Sequence, residues 1–232
     1  MKIGVFVQAR LKSARLPYKV LLPFPGGNLI QHVLRAARKI SASAYALLVP
    51  QNDMAYFEYC AEKEGFDLLG GPEEDVYGRF IGALNVYKNL DFVIRITGDK
   101  VLLSPVYTQK ALDFMMGQYY NIFAHLNWVY YAHFPLNQVT GDVLFAPKLR
   151  ELYKPDIPDA WREHIITAFQ ANSLGCEAPE PMIIPSSIEK NVRLVVDTEG
   201  DYRKLLKVYE CFYKGEVIEL DTIIDAFKAF GY

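Results

Sequence analysis

Cysteine is scarce in this chain. Cys60, Cys176 and Cys211 are odd in number and widely spaced, and no CxxC pair occurs. Neither a disulfide framework nor a zinc site is indicated by that spacing. Long apolar runs are lacking too: nothing approaches the ~18–20 consecutive apolar residues of a membrane helix, so no membrane partner is expected. The opening Met1-Lys2-Ile3-Gly4-Val5-Phe6-Val7 is only briefly apolar and runs at once into Gln8-Ala9-Arg10. It therefore reads as a first core strand and not as a signal peptide. A basic excess is also absent. Lys and Arg number 25 against 27 Asp and Glu, a formal charge of −2, which gives no support to a nucleic-acid partner. Anionic ligands would have to be met by a few placed cations instead of a global field. Repeats, low-complexity tracts and linkers are missing as well. The expectation is a single domain over 1–232, cytoplasmic by default, with a substantial core.

What is present is an alternation of short apolar runs with helical periodicity, which argues for βα units and a mainly parallel sheet. Strands are expected at Ile3–Val7, Ala46–Val49, Phe66–Leu69, Phe92–Ile96, Asp142–Phe145, Met182–Ile184 and Leu194–Val196. Asn28 is placed to cap a helix whose apolar face is Ile30, Val33, Leu34 and Ala37. Asn52 or Asp53 is placed to cap the next helix. Further helices are expected over about 74–87, from Pro105 to about Met116, over Trp161–Gln170, and over about 201–213 and 221–230. The stretch Tyr119–Phe134 is aromatic and poor in helix formers. It reads as strands, an arm within about 119–145 that leaves the main sheet. Its Trp128, Tyr130 and Tyr131 suit a homodimer surface and ordinary core packing alike.

The segment Gln8-Ala9-Arg10-Leu11-Lys12-Ser13-Ala14-Arg15-Leu16-Pro17-Tyr18-Lys19 directly follows the first strand. It lies at the carboxyl edge of the sheet, where open α/β folds bind ligands. It holds no glycine, so it is neither a P-loop nor a dinucleotide fingerprint. Arg10, Arg15 and Lys19 can converge on a polyphosphate, guanidinium groups as bidentate forks and lysine as a point charge. Composition alone favours a solvated basic loop. Four later segments also carry placed charge. In Gly70-Gly71-Pro72-Glu73-Glu74-Asp75-Val76-Tyr77-Gly78-Arg79, the acids sit at a helix start, which the macrodipole favours. Asp75 and Arg79 therefore fit both capping with a surface ion pair and nucleotide contact. Arg95-Ile96-Thr97-Gly98-Asp99 ends a strand, as Leu194-Val195-Val196-Asp197 is expected to do. Arg162-Glu163-His164-Ile165 lies on a helical stretch.

Taken whole, the first loop, "QAR-x-x-S-x-R-L-P-x-K-x-L", resembles the signature of the spore-coat polysaccharide F-type cytidylyltransferase family. These proteins are relatives of the CMP-Kdo and acylneuraminate cytidylyltransferases. The segment at 70–79 is similar to the family's "G-S-x-E-D-V-L-x-R", the strand end at 95–99 to its "R-I-T-G-D", and residues 193–202 to its "L-R-L-T-V-D-T-x-x-D-F". Arg162-Glu163-His164 is similar to "R-E-H-V-T". The resemblance spans nearly the whole chain and is weakest between about 116 and 160.

It implies an α/β fold, a Rossmann-like three-layer α/β/α sandwich of the nucleotide-diphospho-sugar transferase type. It also implies transfer of CMP from CTP to a sugar or sugar acid, with pyrophosphate released and Mg²⁺ as cofactor. Gln8, Ala9, Arg10, Ser13, Arg15, Lys19, Asp75, Arg79, Thr97 and Gly98 would then bind the nucleotide. Asp99 and Asp197 would hold the metal, and Arg10, Arg15, Lys19 and Asp99 would carry the catalysis. Arg162, Glu163 and His164 would meet the acceptor, although a lone His on an amphipathic helix also serves structure.

Two departures from the family pattern stand out. Lys100 follows Asp99 where relatives carry Cys or Ser. Its ammonium could oppose the metal, turn to the opposite face, or add charge at the phosphates. At Pro135-Leu136-Asn137-Gln138-Val139-Thr140-Gly141-Asp142-Val143, the acidic pair of "P-D-G-L-D-V-E-V" is largely missing. A non-catalytic nucleotide or nucleotide-sugar binder is the second reading. A glycosyltransferase is the third, and the Asp-x-Asp motif expected of it does not occur.

Overall fold

The computed structural model describes residues 1–120, 129–130, 136–176 and 193–230. Its strands are β1 (Ile3–Gln8), β2 (Pro23–Phe24), β3 (Gly27–Asn28), β4 (Ala44–Pro50), β5 (Asp67–Gly71), β6 (Phe92–Thr97), β7 (Val129–Tyr130), β8 (Asp142–Phe145) and β9 (Gly175–Cys176). The α-helices are α1 (Leu29–Arg38), α2 (Met54–Glu64), α3 (Val76–Val86), α4 (Pro105–Tyr120), α5 (Ala146–Leu152), α6 (Asp159–Glu163), α7 (Ile165–Ala171), α8 (Glu199–Phe212) and α9 (Leu220–Phe230).

The main sheet runs β5-β4-β1-β6-β8-β7-β9, with β2 and β3 forming a separate hairpin. Strands β1, β4, β5 and β6 are parallel, and β8 runs against both β6 and β7. Alternation along the strands divides the core in two. Val5, Val7, Leu47, Val49, Ile94 and Ile96 pack with α1, α2, α4, α8 and α9 on one face. Phe6, Ala46, Leu48 and Val93 pack with α3, α5 and α7 on the other. This is the expected three-layer α/β/α sandwich.

Strand order reverses at β1. Chain progress from β1 through β4 to β5 moves one way, and β6 then returns to the free side of β1. Open α/β sheets bind ligands at such a switch point, outside the carboxyl ends of the strands. Here that point lies between Gln8 and Thr97, which are register partners. Beyond them, the Gly98 amide donates to the Gln8 carbonyl at 2.8 Å. A Cβ at Gly98 would meet the Ala9 Cβ and Ile30 Cδ1 at 3.0 Å, so glycine permits the two chain exits to touch.

Local signals set the helix starts. Asn28 accepts from the Gln31 amide while the Gln31 side chain accepts from the Asn28 amide, a reciprocal capping box. Thr198 and Asp201 form the same arrangement at α8. Asp53 makes no cap bond to α2; its carboxylate accepts from the Leu11 amide at 2.9 Å and anchors the β1 loop.

Three expected elements come out differently. Leu194–Val196 is not a sheet strand, because β8 already occupies the free side of β6. It crosses the strand ends, with the Val196 amide on the Asp99 carbonyl and the Leu194 amide on the Gln138 side chain. The helix expected over Trp161–Gln170 is broken at His164, whose φ of −119° and ψ of 84° are not helical. Of the aromatic stretch, Tyr119 and Tyr120 end α4, and Val129–Tyr130 sits in the main sheet between β8 and β9. Residues 121–128 and 131–135, with Trp128 and Tyr131, lie outside the described residues, as does the expected strand Met182–Ile184.

Candidate active site

The loop after β1 is closed at its base, where the Tyr18 amide donates to the Leu11 carbonyl at 2.9 Å. Buried Ala9, Leu11 and Val20 pin its two ends in the core and Leu16 packs against the same core, so residues 12–15 form the part that projects. Tyr18 adopts a left-handed conformation (φ 58°), and the 3₁₀ turn that follows begins with Lys19. The turn carries the Lys19 side chain inward, where only 12% of it is exposed.

There its ammonium bridges two acids. Nζ lies 3.1 Å from Asp99 Oδ2 and 2.8 Å from Asp197 Oδ1. Asp99 stands just past β6, and the Thr97 hydroxyl donates to its other oxygen at 2.7 Å. Asp197 precedes α8 and is brought alongside by the Val196 amide on the Asp99 carbonyl, 3.2 Å. Arg15 and Arg193 hold its second oxygen at 2.8 and 3.3 Å. Desolvation opposes ionisation of Asp197, but Lys19 and then Arg15 outweigh it and hold the carboxyl below its usual range.

These groups sit on a cleft of about 460 Å³, within the range of small-molecule sites. Gln8, Ala9, Arg10, Ser13, Arg15, Lys19, Arg79, Thr97, Gly98, Asp99, Asp197, Glu163 and His164 all line it. Arg10 donates to Glu163 at 3.0 Å across the opening. His164 occupies the junction of α6 and α7 and is exposed toward the cleft, so its place follows from a helix break and not from an amphipathic face. Arg79 is buried, and its Nη1 donates to the carbonyls of Pro72 and Glu73. Burial, then the nearby Arg10, push its guanidinium down to about 10, still cationic at neutral pH.

Two expected residues lie outside the lining. Asp75 caps α3 through the Gly78 amide and accepts from Tyr153 and from Arg162, each at 2.7 Å. Arg162 is thereby turned from the cleft toward the start of α3. Lys100 is also turned away: it is buried, and its ammonium donates to the Thr140 carbonyl at 2.5 Å. Burial lowers its pKa.

The sequence did not single out Arg95 and Arg193. Arg95 lines the cleft, bonded to Gln8 at 2.9 Å and to Asp142 at 2.7 Å. A lone cation inside the apolar strand Phe92–Thr97 is the signal that could have found it. For Arg193, the signal is its position four residues before Asp197.

The donor chemistry suits a hard divalent cation. Asp99 and Asp197 offer carboxylate oxygens converging from two chain segments, which is what Mg²⁺ takes in addition to phosphate and water. A cationic group already lies between them in the form of Lys19.

A cation-lined cleft at the switch point of a mostly parallel sheet is the arrangement of a nucleotidyltransferase. The chain belongs to the cytidylyltransferase family, whose model matches residues 5–155. It is 28% identical over 217 residues to the spore coat polysaccharide biosynthesis protein SpsF of Bacillus subtilis (strain 168), covering 88% of this chain and 85% of that one. Among solved structures, a cytidylyltransferase from Leptospira borgpetersenii superposes with a TM-score of 0.83 at 23% identity, over 100% of this chain and 95% of that one. CMP:2-keto-3-deoxy-manno-octonic acid synthetase, solved with CTP, gives a TM-score of 0.63 at 16% identity, over 91% of this chain and 99% of that one. Rv0371c from Mycobacterium tuberculosis H37Rv, solved with manganese, shares the fold at 0.61 and 14% identity, over 89% of this chain and 99% of that one. Among the described residues, no helix is long and apolar enough to cross a membrane.

Proposed function

We propose that the cleft binds CTP and that the chain transfers CMP to a hydroxyl of a sugar or sugar acid, releasing pyrophosphate. The observation that carries this reading is the meeting of Asp99 and Asp197 on one ammonium beneath a loop of cations. Attack by the acceptor oxygen on the α-phosphorus forms one P–O bond as the bond to the β-phosphate oxygen breaks. Such a transfer depends mainly on positioning and charge neutralisation.

Arg15 is more exposed than Arg10 or Lys19, so of these three it is the one most readily released to the β- and γ-phosphates. Lys19 would exchange its carboxylates for phosphate oxygens. Arg10 and Arg79 add positive charge on the wall that Val76 lines. Glu163 and His164 face the same cleft and would orient the acceptor. Mg²⁺, when bound by Asp99 and Asp197, supplies charge neutralisation at the α-phosphate.

The test is pyrophosphate release from CTP with Mg²⁺ over a panel of sugars and sugar acids, together with a CTP-induced rise in melting temperature. Asp99→Ala is expected to abolish release and the metal-dependent part of the shift. Arg15→Ala is expected to weaken CTP more than CMP. Equal losses for the two nucleotides would remove Arg15 from the triphosphate, and an unchanged shift in Asp99→Ala would remove Asp99 from the metal.

A further inference from the structure

A second cleft, of about 330 Å³, opens between α1, α2 and α8 and shares no lining residue with the first. Its floor is His32, only 4% exposed. The imidazole stands edge-on to Tyr209 (centroids 4.6 Å apart, 67°) and Tyr213 (4.9 Å, 89°). Tyr209 is fixed by donating to the Val101 carbonyl at 2.8 Å. Tyr213 closes over the turn of the β2–β3 hairpin, where Gly26 has φ +84° and an added Cβ would meet the Tyr213 ring at 2.6 Å. The wall is thus built around a glycine.

His32 is half-satisfied. The Pro25 carbonyl bonds one ring nitrogen, and Nε2 has no partner. Burial, then the neighbouring Arg35, push the ring down to about 4, so it is neutral at physiological pH. With Nδ1–H donating to Pro25, Nε2 keeps a free lone pair beneath Tyr209 and Tyr213, open to a donor once those rings shift.

The rim is cationic. Glu64 is held by Arg35 at 2.9 Å and Glu216 by Lys39 at 3.0 Å. Arg38 and Lys63 remain over and above these pairs. Arg38 lies 4.0 Å from the centre of the Tyr45 ring, and Lys63 donates to the Tyr59 hydroxyl. A buried acceptor, an aromatic wall and two surplus cations together select a ligand that combines a hydroxyl donor, a ring face and a negative charge.

We propose that this cleft binds a small polyhydroxylated anion, a sugar phosphate or a sugar acid. One hydroxyl would donate to His32 Nε2, the ring face would lie on Tyr213, and the anionic group would lie on Arg38 and Lys63. The site is independent of the catalytic reading: failure of CTP to bind would sink that reading and leave this one standing.

The experiment follows the imidazole ¹⁵N resonances of the full chain as glucose 6-phosphate, gluconate or inorganic phosphate is titrated in, with and without CTP. The expected result is a saturable shift at His32 Nε2 with glucose 6-phosphate or gluconate; which of the two binds more tightly decides the source of the charge. Inorganic phosphate should be weaker by about tenfold or more. Lys63→Glu and Arg38→Glu, both on exposed side chains, should each weaken binding by about tenfold while CTP still raises the melting temperature equally. No shift with either organic probe up to about 10 mM overturns the proposal. It is also overturned if phosphate alone matches the sugars, or if CTP displaces the probe.

Discussion

Replacing Lys19 with methionine keeps the aliphatic stem and removes the ammonium that Asp99 and Asp197 share. At ~3 Å and an effective dielectric of ~20, each contact is worth about 5 kcal/mol of gross attraction. Desolvation of three largely buried groups offsets much of that, and breaking such a cluster costs about 3 kcal/mol net. For a chain of this length, the loss corresponds to a melting point lower by about 6 °C. Mg²⁺ should narrow the gap. In the wild type it must displace the ammonium, whereas in Lys19→Met it meets two uncompensated carboxylates. Several millimolar Mg²⁺ without nucleotide should therefore stabilise the variant more than the wild type, while CTP stabilises it less. Scanning calorimetry in chelator and in Mg²⁺ reads both effects. The pH profile adds a check. Asp197 has a depressed pKa in the fold, so its contribution is present above the unfolded value of about 3.9 and is lost as pH falls through the lower folded value. The gap between wild type and variant should accordingly close below about pH 4. A variant as stable as the wild type in chelator, or equal Mg²⁺ shifts in both, would refute the reasoning.

Two further outcomes are expected. The unfolded chain protonates His32 near 6.5 and the folded chain only near 4. Its neutral form therefore contributes about 3 kcal/mol above pH 6.5 that is lost as pH falls toward 4. Urea denaturation should show the wild type's advantage over His32→Gln shrinking by about that amount across the window, and a constant difference would contradict it. Asp75→Ala removes the α3 cap and the partner of Tyr153 and Arg162, and should cost about 2 kcal/mol. CTP affinity should stay within about twofold; a tenfold loss of affinity with unchanged stability would return Asp75 to the nucleotide.

The parts of the site that the sequence made legible are contiguous ones. The loop of Arg10, Arg15 and Lys19 follows a strand recognisable by its apolar run, and the strand ending at Asp99 is equally plain. Strand period and the Asn28 cap placed the core layers. Long-range exchange of partners was not legible. Asp75 looks as available as Asp99 in one dimension, yet Tyr153 and Arg162, which engage it, come from far along the chain. Lys100 looked like a threat to Asp99 until the fold supplied a carbonyl on the other side. Leu194–Val196 has the composition of a strand, but the free side of β6 was already filled by β8. The second cleft left no trace in the sequence, since its lining comes from three separate segments.

Lys19 and Asp197 are 178 positions apart, so the cluster they form with Asp99 is a late event in the life of the polypeptide. A growing chain exposes its basic loop long before the second acid is made, and the capping box that begins α8 comes later still. Fragments carrying only the amino-terminal layers could assemble the parallel strands and still lack the centre.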